Sequence, residues 1–155
     1  MALFVRIASI LLLVSGLLPL GSRPATAQGT ALTASAPPAS MIIGTPVAGS
    51  QPSAVIASAT YFVKVKAVAG VKKITASLDA NMPIGTSLTI DLAPSAGATS
   101  LGAVSLSVTT QDVVVNIARE NGSTLGITYT FTATVAAGVL PSQTRTVTLT
   151  LLNYP

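Results

Sequence analysis

The sequence contains no cysteine, no histidine and no tryptophan. Without cysteine there is no disulfide framework, no thiolate nucleophile and no sulfur-ligated zinc. Without histidine, every catalytic arrangement built on an imidazole base is excluded. Charge is sparse as well: eight Lys and Arg stand against four Asp and Glu, and charged residues make up 8% of the 155. Aromatic residues account for 4%. Glycan platforms and nucleic-acid interfaces both rely on exposed aromatic faces, so both classes are short of material. Apolar residues, Ala included, make up 50% of the chain, and the rest is dominated by Thr, Ser and Gly.

The N-terminus has the order of a secretory signal. Arg6 supplies a positive start, and an almost wholly apolar run follows from Ile7 to Leu20. Small residues at Ala25 and Ala27 suit a cleavage site. The run is shorter than the ~20 residues that span a bilayer, so no membrane span is expected after cleavage. No cysteine follows the signal, which removes a lipoprotein anchor. The expected organisation is residues 1–27 as signal peptide, 28–53 as an extended Ala/Ser/Pro-rich leader, and 54–155 as one domain.

Once Arg6 and Arg23 are removed with the signal, six basic residues remain against all four acids, a net charge of +2. Lys64, Lys66, Lys72 and Lys73 form a basic cluster. On alternating strands these lysines read as a solvated sheet face, with contact to an acidic surface as the alternative.

The leader is broken by Pro37-Pro38, Gly44-Thr45-Pro46 and Gln51-Pro52, and carries one candidate strand at Met41–Ile43. From residue 54 the pattern becomes two-residue alternation, the signature of half-buried strands. Tyr61, Val63, Val65 and Ala67 point one way. Ile74, Ala76 and Leu78 repeat the pattern against Lys73, Thr75 and Ser77. So do Leu88, Ile90 and Leu92, then Val104, Leu106 and Val108, then Val113, Val115 and Ile117. The clearest run sets Ile127, Tyr129, Phe131, Ala133 and Val135 against Thr128, Thr130, Thr132 and Thr134. The last sets Val147, Leu149 and Leu151 against Thr146, Thr148 and Thr150. Threonine suits the outer row, because its branched Cβ fits the pleat while its hydroxyl meets water.

Breakers separate these runs at Gly70, Asn81-Met82-Pro83, Pro94 to Gly97, Asn121-Gly122 and Gly138 with Pro141. Asn121-Gly122 is the strongest turn signal and predicts a hairpin joining the strands around Ile117 and Ile127. No stretch outside the signal shows helical periodicity over three turns. Seven or eight strands at roughly ten-residue spacing predict an antiparallel, all-β, Ig-like sandwich with one apolar face per strand. A small outer-membrane barrel also uses alternating strands. Five aromatics after the signal (Tyr61, Phe62, Tyr129, Phe131, Tyr154) are too few for two interfacial girdles.

No catalytic, cofactor-binding or metal site is assigned, and no enzyme activity is expected. A Ser–Lys pair needs a desolvated lysine, and Lys64, Lys66 and Lys73 occupy polar positions. Asp79, Asp91, Asp112 and Glu120 fall near turns or on a polar strand face, where capping and solubility explain them. Asp79 with Asn81 reads as an Asx turn rather than a calcium ligand pair. Gly97 lacks the Gly-Lys-Ser/Thr and helix of a phosphate loop. No cofactor and no nucleic-acid partner are expected.

The order of parts resembles exported bacterial Ig-like subunits of the pilin and spore-coat-protein-U type. A signal precedes the short segment Ile42-Ile43-Gly44-Thr45-Pro46. A strand at Tyr61–Val68 and sandwich strands follow. The chain closes with Gly126-Ile127-Thr128-Tyr129-Thr130-Phe131, a turn, and Thr146-Val147-Thr148-Leu149-Thr150-Leu151. The likeness covers most of residues 42–154. It implies a fimbrial-like fibre or surface-layer subunit on the cell surface, in the periplasm or outside the cell, with no catalytic residues. It also implies self-association through sheet edges or by donation of a strand, for which the leader over 28–58 is the obvious donor. The alternative is a monomeric extracellular binding module, for example for a glycan.

Overall fold

In the computed structural model, residues 3–7, 29–35, 40–44, 46, 49–138 and 141–155 are described. The apolar run of the signal and its Ala25-Thr26-Ala27 cleavage site lie outside them. Twelve strands follow in chain order: β1 (Leu3–Ile7), β2 (Ala31–Ala34), β3 (Met41–Ile43), β4 (Val55–Val65), β5 (Lys72–Leu78), β6 (Thr86–Leu92), β7 (Thr99–Ser100), β8 (Val104–Ser105), β9 (Gln111–Ile117), β10 (Glu120–Ala133), β11 (Gln143–Arg145) and β12 (Val147–Asn153). Helical structure among the described residues is limited to two 3₁₀ turns, Ala67–Ala69 and Val135–Ala137.

The strands form an all-β sandwich. One sheet has the order β2-β4-β10-β6-β8 and the other β12-β5-β9-β7. A third, smaller sheet, β11-β1-β3, joins the second through β11, which leads into the start of β12. Each large sheet ends in open edges rather than closing into a ring. All pairings are antiparallel except that of β1 with β11.

The alternation in the sequence dictates the core. On β10, Ile127, Tyr129 and Phe131 are fully buried, with the intervening threonines facing outward. Their neighbours on β6 are Leu92, Ile90 and Leu88; on β4 they are Ala59, Ala57 and Val55. Large side chains on the central strand thus meet large ones on β6 and smaller ones on β4, the alternation of sizes that close packing favours. Each buried aliphatic or aromatic side chain contributes about 1.5–3 kcal/mol relative to exposure. On the outer face, Ser87 and Thr132 share a 2.7 Å hydroxyl–hydroxyl hydrogen bond across β6 and β10.

Three expectations fail for identifiable reasons. Strands β9 and β10 do not form a hairpin, because β9 belongs to one sheet and β10 to the other. The chain crosses between layers at Ala118-Arg119, and Asn121-Gly122 sits within β10 as a bulge opposite β4. The Glu120 carboxylate holds this bulge, accepting from the Gly122 N–H at 3.2 Å and the Ser123 hydroxyl at 2.9 Å. Gly122 has φ 121, and the Phe62 ring lies 2.8 Å from where a Cβ would stand. Second, strict alternation breaks on β9, where Val113 and Val114 are both buried, and on its partner β5, where Thr75, expected on the outward row, is buried between Ile74 and Ala76. The register against β5 shifts there, and Asn116 has φ 59; a bulge turns two successive side chains inward. Third, Ala67, Val108 and Val135 leave the core face, because the strands carrying that pattern end before them.

The leader is partly built into the fold. Ala31–Ala34 pairs with β4, Met41–Ile43 pairs with β1, and Leu32, Met41 and Ile43 are buried.

Candidate functional site

Two features of the surface concentrate backbone or charge that the rest of the fold leaves unmatched. The first is the small sheet. Met41 and Ile43 are buried while Ile42 points outward at 41% exposure, as alternation within Met-Ile-Ile requires. On the other side, β11 follows Pro141 and precedes β12 with only Thr146 between them. It is fastened to the domain by polar contacts. The Arg145 guanidinium donates to the Asn81 carbonyl at 3.2 and 3.1 Å. Asp79 accepts from the Thr146 N–H at 3.0 Å and from the Ala80 N–H at 2.9 Å. Asn81 accepts from the Val108 N–H at 3.1 Å. Asp79 and Asn81 are therefore loop clasps.

Between β3 and β11 lies β1. Leu3, Phe4 and Val5 pair antiparallel with Ile43, Ile42 and Met41. Val5, Arg6 and Ile7 pair parallel with Gln143, Thr144 and Arg145. A single five-residue strand thus satisfies two facing strand edges.

The second feature is a groove of about 520 Å³ lined by Lys64, Lys66, Val68, Arg119, Glu120 and Asn121 among others. Its geometry follows from the sheet crossing. Lys64 and Lys66 extend the outward row of β4 beyond Phe62, and the link between β9 and β10 delivers Arg119 beside them. The basic cluster read from the sequence is thereby divided. Lys73 forms an ion pair with Asp112 at 3.0 Å, and Lys72 donates to the Asn153 side chain. Lys64 and Lys66 instead join Arg119, which is distant in sequence from both. Sequence reasoning missed Arg119 because only the crossing between layers brings it to the end of β4.

The remaining polar residues have ordinary structural partners. Asp91 accepts from the Ser100 hydroxyl at 3.2 Å beside a groove of about 410 Å³. Tyr61 donates from its hydroxyl to the Ala93 carbonyl at 2.5 Å. Burial, reinforced by the nearby Glu120 charge, pushes its pKa up to about 12. Burial alone pushes Tyr129 up to about 12. The four acids stand on separate loops and strands, and among the described residues no group of three or more potential metal-ligating side chains converges. No family model matches the chain, and no curated protein matches it.

Proposed function

We propose that this protein is an exported, Ig-like structural subunit that completes its sandwich by taking up a strand from outside the mature chain. The observation that supports this reading is the position of β1. It comes from the segment with signal-peptide character, yet it satisfies the edges of both β3 and β11. Signal cleavage after Ala27 would remove it and leave two strand edges facing one another, one strand width apart. Backbone N–H and C=O groups in such a gap demand partners, and an extended segment of a neighbouring copy supplies them by β-addition. A fibre or surface-layer subunit on the cell surface follows from this chemistry.

The leader needs qualification as a donor. Its Ala31–Ala34 segment already pairs with β4 of its own chain and buries Leu32 there. Donation from it therefore requires exchange of β2 between copies.

The test is the solution mass of residues 28–155 by light scattering, with negative-stain microscopy on the same sample. Oligomers or filaments are expected, and a synthetic peptide carrying Leu3–Ile7 should cap them when present in excess. Removal of residues 28–35 then separates an exchanged β2 from another donor. A monodisperse monomer that neither binds the peptide nor assembles at high concentration overturns the proposal.

A further inference from the structure

We infer that the groove formed by Lys64, Lys66 and Arg119 binds an anionic glycan, a saccharide chain bearing carboxylate or sulfate groups. Most charged side chains of the domain have partners within it. Each of the four acids is engaged: Asp79 by the backbone of Ala80 and Thr146, Asp91 by Ser100, Asp112 by Lys73, and Glu120 by Gly122 and Ser123. Among the cations, Lys72, Lys73 and Arg145 are likewise engaged, by Asn153, by Asp112 and by Asn81 with Gln143. The basic side chains without a partner among the described residues are Lys64, Lys66 and Arg119. All three line the same groove.

The fold holds them together. Lys64 is the last outward residue of β4, and Lys66 follows the strand's end at Val65 in extended backbone (φ -67, ψ 148), so the two stand on the same side of the chain about 7 Å apart. Arg119 reaches the groove from the crossing between the sheets. Glu120 lines the same groove, but its Oε1 is turned onto the bulge, accepting from Gly122 and Ser123. Three cations against this one carboxylate leave the groove with a net positive charge, which gives an incoming anion an attractive path. The guanidinium fork suits a planar carboxylate or a sulfate edge, and the two ammonium groups add point charges alongside it.

The shape argues against other polyanions. Single-stranded nucleic acid wants successive aromatic faces to stack its bases. This row offers one aromatic, Phe62, packed against Gly122 and 36% exposed, so there is no succession of rings. A membrane surface wants a broad apolar face beside the cations, and here Val68 and the exposed part of Phe62 are too little to make one. A hydrated, charged, non-stacking polymer fits what remains. The inference is independent of strand addition, since it concerns the end of β4 rather than β3 and β11.

The experiment measures binding of residues 28–155 to immobilised heparin and polygalacturonate, with dextran as the neutral reference. The variant K64Q/K66Q/R119Q is compared with K72Q/K73Q, which removes two basic charges from side chains already engaged, by Asn153 and by Asp112. Retention at low salt that is lost by about 0.5 M is expected, because such contacts are screened over a few ångström there. The triple variant should bind about tenfold or more weakly, with K72Q/K73Q changed by no more than about twofold. The single change Lys66→Glu, at an exposed position, must give the same direction should the triple variant lose its thermal transition. Equal binding by the variants, or absence of low-salt binding to both glycans, overturns the inference. Stronger binding to single-stranded DNA or to anionic phosphatidylglycerol vesicles than to either glycan overturns it too.

Discussion

Tyr129 offers a sharp test of how the core is built. Its ring is fully buried on β10, between Ala57 on β4 and Ile90 on β6. Its hydroxyl is buried too and has no hydrogen-bond partner among the described residues. An unbonded hydroxyl taken from water into an apolar interior costs ~1–3 kcal/mol by mutational measures. Tyr129→Phe removes that group and keeps the ring, at the expense of a void smaller than a methyl group. The net expectation is stabilisation by about 1 kcal/mol, or a rise in Tm of ~3–5 °C for a domain of this size. Tyr61→Phe is the matched control. It deletes the 2.5 Å bond to the Ala93 carbonyl and should destabilise by ~1 kcal/mol. Both changes remove the same atom from the same residue type in the same sheet. Their effects should nevertheless have opposite signs.

The assay is thermal and urea unfolding of residues 28–155 followed by far-UV circular dichroism, since the chain has no tryptophan to report. Destabilisation of Tyr129→Phe to the same degree as Tyr61→Phe would refute the reasoning. It would mean that the Tyr129 hydroxyl gains a hydrogen bond in solution, from water admitted between the sheets.

Further predictions follow from the same packing. Thr75 is buried with its hydroxyl unpaired, so Thr75→Val should stabilise by about 1 kcal/mol in the same unfolding assay. Gly122→Ala should destabilise by ~1–3 kcal/mol, because a Cβ meets the Phe62 ring and φ is 121; Phe62→Ala in the same chain should relieve part of that loss. The raised tyrosine pKa values make stability fall at high pH. Tyr61 and Tyr129 remain protonated in the fold until about 12, whereas in the unfolded chain they ionise near 10. Their contribution is therefore whole below pH 10 and is lost between about 10 and 12. Urea midpoints across that range should show a shallower fall for Tyr129→Phe than for the unmodified domain. The Lys73–Asp112 ion pair is partly exposed, so Asp112→Asn should cost no more than about 1 kcal/mol, less in high salt.

Sheet membership was legible where residues alternate, because burial on one face needs nothing beyond period two. The inward rows of β4, β6, β10 and β12 come straight from that pattern, as does the all-β class. Two things were not legible. Asn121-Gly122 has the chemistry of a two-residue hairpin, and only tertiary context shows that Glu120 and Phe62 use it as a bulge. The short strand β3 was marked out as Met41–Ile43, but β2 was not: it carries a single buried side chain, Leu32. One inward residue gives no period to detect; β2 becomes a strand because β4 offers an edge to pair with. The groove was half legible. Lys64 and Lys66 stand out in the sequence, but their separation from Lys72 and Lys73, and their union with Arg119, depend on which sheet each strand joins.

Self-association through sheet edges in general and strand uptake between β3 and β11 are different predictions, and the lengths of the strands separate them. Of the outer strands, β7 and β8 have two residues each and β2 has four, while β12 has seven. The three short edges present few unpaired backbone groups and make poor templates for another chain, which leaves β12 as the one long edge for ordinary pairing. With β1 absent, β3 and β11 present two edges to the same incoming segment, which doubles the backbone bonds gained per residue ordered. Amide hydrogen exchange of residues 28–155 should therefore show 41–43 and 143–145 exchanging fast in dilute protein, well ahead of the centres of β4 and β10. On assembly, protection should rise at those two segments, with little change at β7 and β8. Protection that rises instead along β12, β7, β8 or β2 would assign association to ordinary edge pairing and remove the basis for strand uptake.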